Sequence, residues 1–277
     1  MNITRRFIGA ALALAVTTGA TAPVLAQTAT QALSSESVIE TIKERGVIKI
    51  GLSLFVPWSM RDLNGDLIGF ELDVGRQLAE DMGVEVEFIP TSWDGIIPAL
   101  VSGNFDAIIS GMSVTASRNL TINFTDPYAF SGLAVYSNIG MTQGMSRDDF
   151  NDESITFAAR RGATPAAVIA KIFPKAQVLL FDEDGAAAQE VLNGNAHATM
   201  AAQPTPNREV ENYPETLHIP FEALYDPRGE AFAIRKGDPD AINYFNNWIA
   251  QQWRSGWLEE RHNYWFATTE WESLVAQ

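Results

Sequence analysis

The residues best suited to chemistry stand in one run, Ser110-Gly111-Met112-Ser113-Val114-Thr115-Ala116-Ser117-Arg118. The apolar pattern of Phe105 to Ser110 leads into it as a buried strand, and Thr115 is of the type that caps a short helix. Backbone N–H groups at such a turn converge beyond the strand's carboxyl end. A cation in a helix's first turn is electrostatically disfavoured unless an anion lies near it. Arg118 therefore has two readings: a fork that grips a planar carboxylate with help from Ser113 and backbone N–H groups, or half of an ion pair with Asp126 or Asp106.

A comparable turn follows at Arg160-Arg161-Gly162-Ala163-Thr164, where a strand passes into a helix behind two cations. Strand alternation lets only one of the two arginines face a cleft, and Arg161 is read as the solvated one. Phe55, Trp58 and Trp93 each fall just after a strand pattern, at the same edge as Arg118, where rings can wall a pocket and exclude water. Each is also an ordinary core residue by type. Trp248, Trp253, Trp257, Trp265 and Trp271 read as anchors that dock the C-terminal helices.

Composition narrows the chemistry. Among 277 residues there is no Cys and only three His, which excludes thiolate chemistry and disulfides and leaves little for a metal centre. The formal charge of −15 argues against a surface that neutralises phosphates, so no nucleic-acid partner is expected. No cofactor is implied. Arginines, carboxylates, hydroxyls and aromatics remain.

The elements that must position these groups are legible from pattern. Residues 1–26 read as a cleavable signal peptide: Arg5-Arg6, an apolar stretch from Phe7 to Ala20, then Val24-Leu25-Ala26. Its removal takes two cations and no acid, moving the charge to −17. Ser37 to Glu40 resembles a capping box, and Gly46 a helix stop. Strand patterns over Val47–Ser53, Val84–Ile89 and Phe105–Ser110 alternate with helical patterns over Leu72–Met82 and Asp94–Ser102, and Asn64-Gly65 signals a hairpin turn. From Leu133 a second series begins, with strands over Ile155–Ala159, Val178–Phe181 and Ala196–Ala202, and a helix capped by Thr164 with Pro165 behind it. Ala231–Ile234 forms a further strand, and Asp238-Pro239 opens a long helix to Trp253. Repeated strand, helix, strand units imply α/β architecture in two lobes, with helices flanking parallel-rich sheets.

Six motifs in order make the resemblance specific: Gly51 to Trp58, Gly69-Phe70-Glu71-Leu72-Asp73-Val74, Trp93 to Leu100, Gly103 to Ile109, the Arg118 segment and Phe124-Thr125-Asp126-Pro127-Tyr128. Together they resemble the periplasmic polar amino acid-binding proteins of ABC importers, solute-binding protein family 3, over nearly all of 45–266. The resemblance implies a two-lobed periplasmic binding protein fold of type II-like form. Lobe one would comprise 27–130 with 228–277, lobe two 134–222, and the hinge crossovers would lie near 131–134 and 223–228. It further implies that Arg118, Ser113 and the Gly111 backbone hold a ligand carboxylate, that Phe55 and Trp93 sandwich the ligand, and that Arg160 and Thr164 contribute from lobe two.

One departure bears on the ligand. Relatives usually end the strand before the crossover in an Asp that accepts an α-ammonium, and the matching position here is Ala202. Either another carboxylate such as Glu222 or Asp226 substitutes, or the ligand lacks a free α-amine, as a dicarboxylate, keto acid or N-substituted amino acid would. Cationic ligands fit least. The expected function is that of a monomeric periplasmic binding protein, not an enzyme, which closes on a small carboxylate-bearing metabolite and delivers it to an inner-membrane ABC permease. The alternatives are an enzyme on the same fold, like cyclohexadienyl dehydratase, or a ligand sensor for a membrane receptor.

Overall fold

The computed structural model describes residues 37–275. The expected signal peptide, 1–26, lies outside the described residues. Helix α1 (Val38–Arg45) begins where the Ser37 hydroxyl accepts from the Ile39 N–H, and ends at Gly46 with φ +72°. Strand β1 (Val47–Leu52) follows, then the small hairpin β2 (Met60–Arg61) and β3 (Leu67–Ile68) turning at Gly65. Helix α2 (Phe70–Met82) leads to β4 (Glu85–Pro90), and α3 (Trp93–Val101) to β5 (Ala107–Ile108). Strands β4 and β5 both pair with β1 in parallel, so α2 and α3 are crossover helices. The pattern over Phe105–Ser110 pairs only at its centre, because Ser110 turns its hydroxyl to accept from the Ser53 N–H, 2.8 Å away.

Helix α4 (Ala116–Asn119) starts at Thr115, whose hydroxyl accepts from the Arg118 N–H. The chain then forms β6 (Asn123–Asn138), 16 residues long, and the single turn α5 (Ile139–Thr142). A second parallel group comprises β7 (Thr156–Arg160), α6 (Thr164–Ile172), β8 (Gln177–Phe181), α7 (Asp184–Leu192) and β9 (Ala198–Ala202). Ala163, not Thr164, occupies the cap position of α6, because the turn at Gly162 (φ +69°) closes with the Ala163 N–H on the Arg160 carbonyl. Thr164 is the first helical residue, and its side chain caps nothing.

After α8 (Thr205–Asn212) and the short β10 (Leu217–His218), β11 (Tyr225–Ile234) returns to the first group. Helices α9 (Pro239–Ser255) and α10 (Trp257–Ala267) then cover it, α9 capped by the Asp238 carboxylate. The strand order β4-β1-β5-β11-β6-β9-β7-β8, with β10 beside β6, joins both parallel groups through two antiparallel strands. Strand β6 pairs with β11 up to Leu133 and with β9 from Leu133 onward. One strand thus belongs to both halves.

Each half has its own apolar core. The first is aromatic, with Phe70, Tyr128, Phe232, Phe245, Trp248, Trp265 and Trp271 all buried. The tail tryptophans anchor as their pattern suggested: the indole N–H groups of Trp248 and Trp265 donate to Asp81 and Asp73, both at 2.7 Å. Phe150, Phe157 and Phe173 centre a core of the second half. Burying each such ring stabilises the fold by roughly 1.5–3 kcal/mol. Among the described residues no helix is long and apolar enough to cross a membrane.

On β1, Gly51 lies directly against the Phe105 ring, and a Cβ there would overlap it. Gly51→Ala should therefore destabilise the protein by about 1–3 kcal/mol through overpacking, read as a lower urea midpoint with unchanged slope.

Candidate binding cleft

A cavity of about 900 Å³ lies between the two halves, at the carboxyl ends of β1, β5 and β7. Phe55, Trp58 and Trp93 form its aromatic wall, Gly111 and Ser113 its floor from the first half, and Arg160, Ala163 and Thr164 its face from the second. Six of the seven expected site residues therefore line one space: Phe55, Trp93, Gly111, Ser113, Arg160 and Thr164. The seventh, Arg118, stands behind Trp93, its guanidinium 5.3 Å from the indole centroid.

Phe55 is fixed by a tight loop in which it exchanges backbone hydrogen bonds with Ser59, and its ring stacks on Trp58 with centroids 5.6 Å apart. Behind it, Gly111 has φ +51°, and a Cβ there would come within 2.6 Å of the Phe55 ring. Glycine is required at this point both for backbone conformation and for contact.

The expectation for the Gly111 backbone is corrected. Its N–H donates to the Tyr128 hydroxyl at 3.0 Å, so it is turned inward and is not offered to the cavity. Tyr128 in turn donates to Glu71 at 2.6 Å, and the Ser59 hydroxyl donates to the other oxygen of Glu71 at 2.8 Å. Glu71 is wholly buried, and desolvation raises its pKa to about 7 despite these donors.

The expected aromatic sandwich is also occupied from within. The Arg160 guanidinium lies 4.5 Å from the Trp93 centroid and 5.5 Å from that of Phe55, held there by cation–π attraction. It reaches the Asp184 carboxylate at 3.0 Å and the Ser53 hydroxyl at 3.4 Å, while its Nε has no partner among the described residues. Only 5% of this side chain is exposed, whereas Arg161 is half exposed and pairs with Asp182, as strand alternation required.

Arg118 forms neither of its candidate ion pairs. Asp106 holds Arg45 instead, and the Asp126 N–H is bound by Asn246. The Arg118 guanidinium donates to the carbonyls of Ser113 at 3.0 Å and Gly162 at 3.3 Å. Burial, with the like charges of Arg228 and Arg160, lowers its pKa to about 10. Three guanidiniums are gathered here, and among the described residues only two have carboxylate partners: Asp184 for Arg160 and Asp226 for Arg228.

Sequence reasoning missed Arg228, Glu230, Asp184 and Arg208, all of which line the cavity. Arg228 and Glu230 alternate immediately before the apolar run Ala231–Ile234, a period of two that places both on one face of a strand. That signal was available. Glu222 is exposed and off the cavity, Asp226 is taken up by Arg228, and His197 accepts from the Thr156 N–H away from the cleft. At the other rim, Arg208 pairs with Glu272 at 3.1 Å and stacks on Trp271 at 4.3 Å, while Thr205 donates to the Val56 carbonyl. The two halves thus touch on both sides of the cavity.

Among curated proteins, the chain is 26% identical to the L-cystine-binding protein of Escherichia coli (strain K12) over 239 residues, 85% of this chain and 88% of that protein. It is 24% identical to the cyclohexadienyl dehydratase of Pseudomonas aeruginosa over 236 residues, 84% and 87% of the two chains. Among solved structures, an ancestral amino acid-binding protein described as a precursor of cyclohexadienyl dehydratase superposes with a TM-score of 0.74 at 34% identity, covering 83% of this chain and 99% of its own. Residues 48–268 match the model of the bacterial extracellular solute-binding proteins, family 3, and the chain, two-lobed and α/β, belongs to that family.

Proposed function

We propose that the protein binds a small, amino acid-like carboxylate between its lobes in the periplasm and delivers it to an ABC permease of the inner membrane. The observation that carries this is the arginine cluster: Arg118 is held beside Arg160 and Arg228 with its pKa depressed and no carboxylate of its own. A bound anion relieves that repulsion, and the guanidinium fork suits a planar carboxylate. The Gly162 contact at 3.3 Å is long enough to be exchanged for such an anion. Phe55 and Trp93 cover the ligand's apolar part once the Arg160 guanidinium moves from between them, with Ser113 and Thr164 supplying hydroxyls.

Closure follows from two-sided contact. A ligand shifts an open-closed equilibrium only by its differential affinity, so it must touch groups on both halves. Arg118 and Ser113 come from one side, Arg160 and Thr164 from the other. The lobes proposed are 27–130 with 228–277 and 134–222, hinged near 131–134 and 223–228, where β6 changes its neighbour and β11 shifts register.

A second reading, an enzyme of the dehydratase kind, has one observation in its favour: Glu230 puts a carboxyl in the cavity with a pKa raised to about 7, the range of a general acid. Incubation with prephenate decides it. Unchanged substrate is expected, and catalytic conversion would favour the enzyme.

Thermal-shift and calorimetric panels of amino acids, 2-oxo acids, dicarboxylates and N-substituted amino acids should yield carboxylates that raise the melting point by mass action. Arg118→Ala should weaken the best of them at least about tenfold. Unchanged affinity would remove the anion site. Arg208→Ala should loosen the far rim, giving a larger radius of gyration by small-angle scattering in the absence of ligand and severalfold weaker binding, while the chemical preference within the panel stays the same.

A further inference from the structure

We propose that the C-terminal segment from Glu270 to Val275 is a length stop: it walls off the far end of the cavity and sets how long a ligand the cleft accepts. The ligands it fits are elongated carboxylates, with a second polar group separated by an apolar spacer from the carboxylate that Arg118 holds. The inference rests on the carboxylate reading above and deepens it.

The segment is fixed to the first half at both ends. Its 3-10 helix, Glu270–Leu274, is anchored by Trp271, which is wholly buried, lies 5.6 Å from the Trp265 ring and donates its indole N–H to the Trp265 carbonyl at 3.0 Å. At the other end the Leu63 N–H, from the loop between β2 and β3, donates to the Leu274 carbonyl at 2.9 Å, and Val275 packs on the first core. From this base the segment reaches across to the second half. Arg208 of α8 donates from Nε to Glu272 at 3.2 Å, its terminal nitrogen lies 3.1 Å from the same oxygen, and its guanidinium stands 4.3 Å from the Trp271 centroid. A planar cation that is stacked on a ring and forked onto a carboxylate is held in both orientation and position. Glu272 and Val275 line the cavity, so this end of it is a braced wall.

The chemistry of the lining matches a long ligand. At about 900 Å³ the cavity stands near the upper end of the roughly 300–1,000 Å³ that accommodates drug-sized molecules. A free amino acid with a short side chain fills only a small part of it. Thr205, Arg208, Glu209 and Asn212 recur at i, i+3, i+4 and i+7 along α8, which puts them on one helix face, and all four line the cavity. The end bounded by α8 and the C-terminal segment is therefore polar. Strands β6 and β9 add Leu133, Met200, Ala201 and Ala202 to the lining and no charge. A methylene spacer suits that surface, and a hydroxyl or a second carboxylate suits the polar end, where Arg208 and Asn212 can donate.

The test is calorimetry of the wild-type protein, Val275→Trp and Glu272→Ala with two ladders of straight-chain acids: dicarboxylates from succinate to dodecanedioate, and the ω-hydroxy acids of matching length. Wild-type affinity should rise about fourfold per methylene up to a cut-off length, then fall at least about tenfold. Val275→Trp pushes the wall inward and should move the cut-off to shorter chains while sparing the shortest acids. Glu272→Ala unties Arg208 but keeps the Trp271 anchor, and should move the cut-off to longer chains. Melting curves report whether each variant is folded, and Glu272→Ala, which alters a side chain 31% exposed, carries the test alone should Val275→Trp not fold. Affinity independent of chain length, or a cut-off unmoved in either folded variant, would overturn the length stop and leave the anion site intact. Failure of both ladders beside a shorter carboxylate bound through Arg118 would overturn this proposal alone. Failure of every carboxylate to bind would overturn it and the anion site together.

Discussion

Three guanidiniums brought together out of water set the terms for everything around them. Arg118, Arg160 and Arg228 repel one another, and the fold holds them in place by distributing partial compensation: carboxylates for two, backbone carbonyls for the third, and aromatic faces for Arg118 and Arg160. Each device comes from a different element. The arrangement persists because the ends of the parallel strands β1 and β7, the starts of α3 and of the antiparallel β11, and the short helix α4 all meet at one place. In the function proposed for the protein, this convergence lets a ligand be gripped from two sides.

The apolar cores make that convergence rigid. On the first side, Glu71 sits among aromatic rings and ties Ser59, Tyr128 and, through Tyr128, Gly111 into one hydrogen-bonded chain. The carboxyl is thus structural in its contacts. It fixes the loop that carries Phe55 and the turn that carries Ser113, so the wall and floor of the cleft are set by one buried group.

Much of the fold was legible because strand and helix periods differ and the stops are glycines. Nearly every strand and helix pattern found its element within a few residues, from the cap at Ser37 to the helix opened by Asp238. The errors were local. Thr164 has the right chemistry for a cap, yet the Gly162 turn closes on Ala163, and hydroxyl type alone does not reveal which residue a turn will choose. The site was legible as a set of residues and less so as a set of contacts. That Arg160 would fill the space between Phe55 and Trp93, or that the Gly111 N–H would face Tyr128, depends on side chains 105 and 67 residues away in the first case and 17 in the second, and pattern carries no register at that range. Arg228 and Glu230 are the instructive miss, since their alternation before an apolar strand was visible and only their destination was not.

The long strand β6 that serves both halves has a further consequence for how the molecule comes into being. Its partner β11 and the covering helix α9 arrive some hundred residues later, and they bring Phe232, Phe245 and Trp248 into the first core. Until that late stretch has appeared, the opening half lacks a central strand and much of its oily interior. The intervening lobe has all its own strands between the two crossings and can organise first. A chain made from its leading end therefore stays pliable in front until its rear has followed.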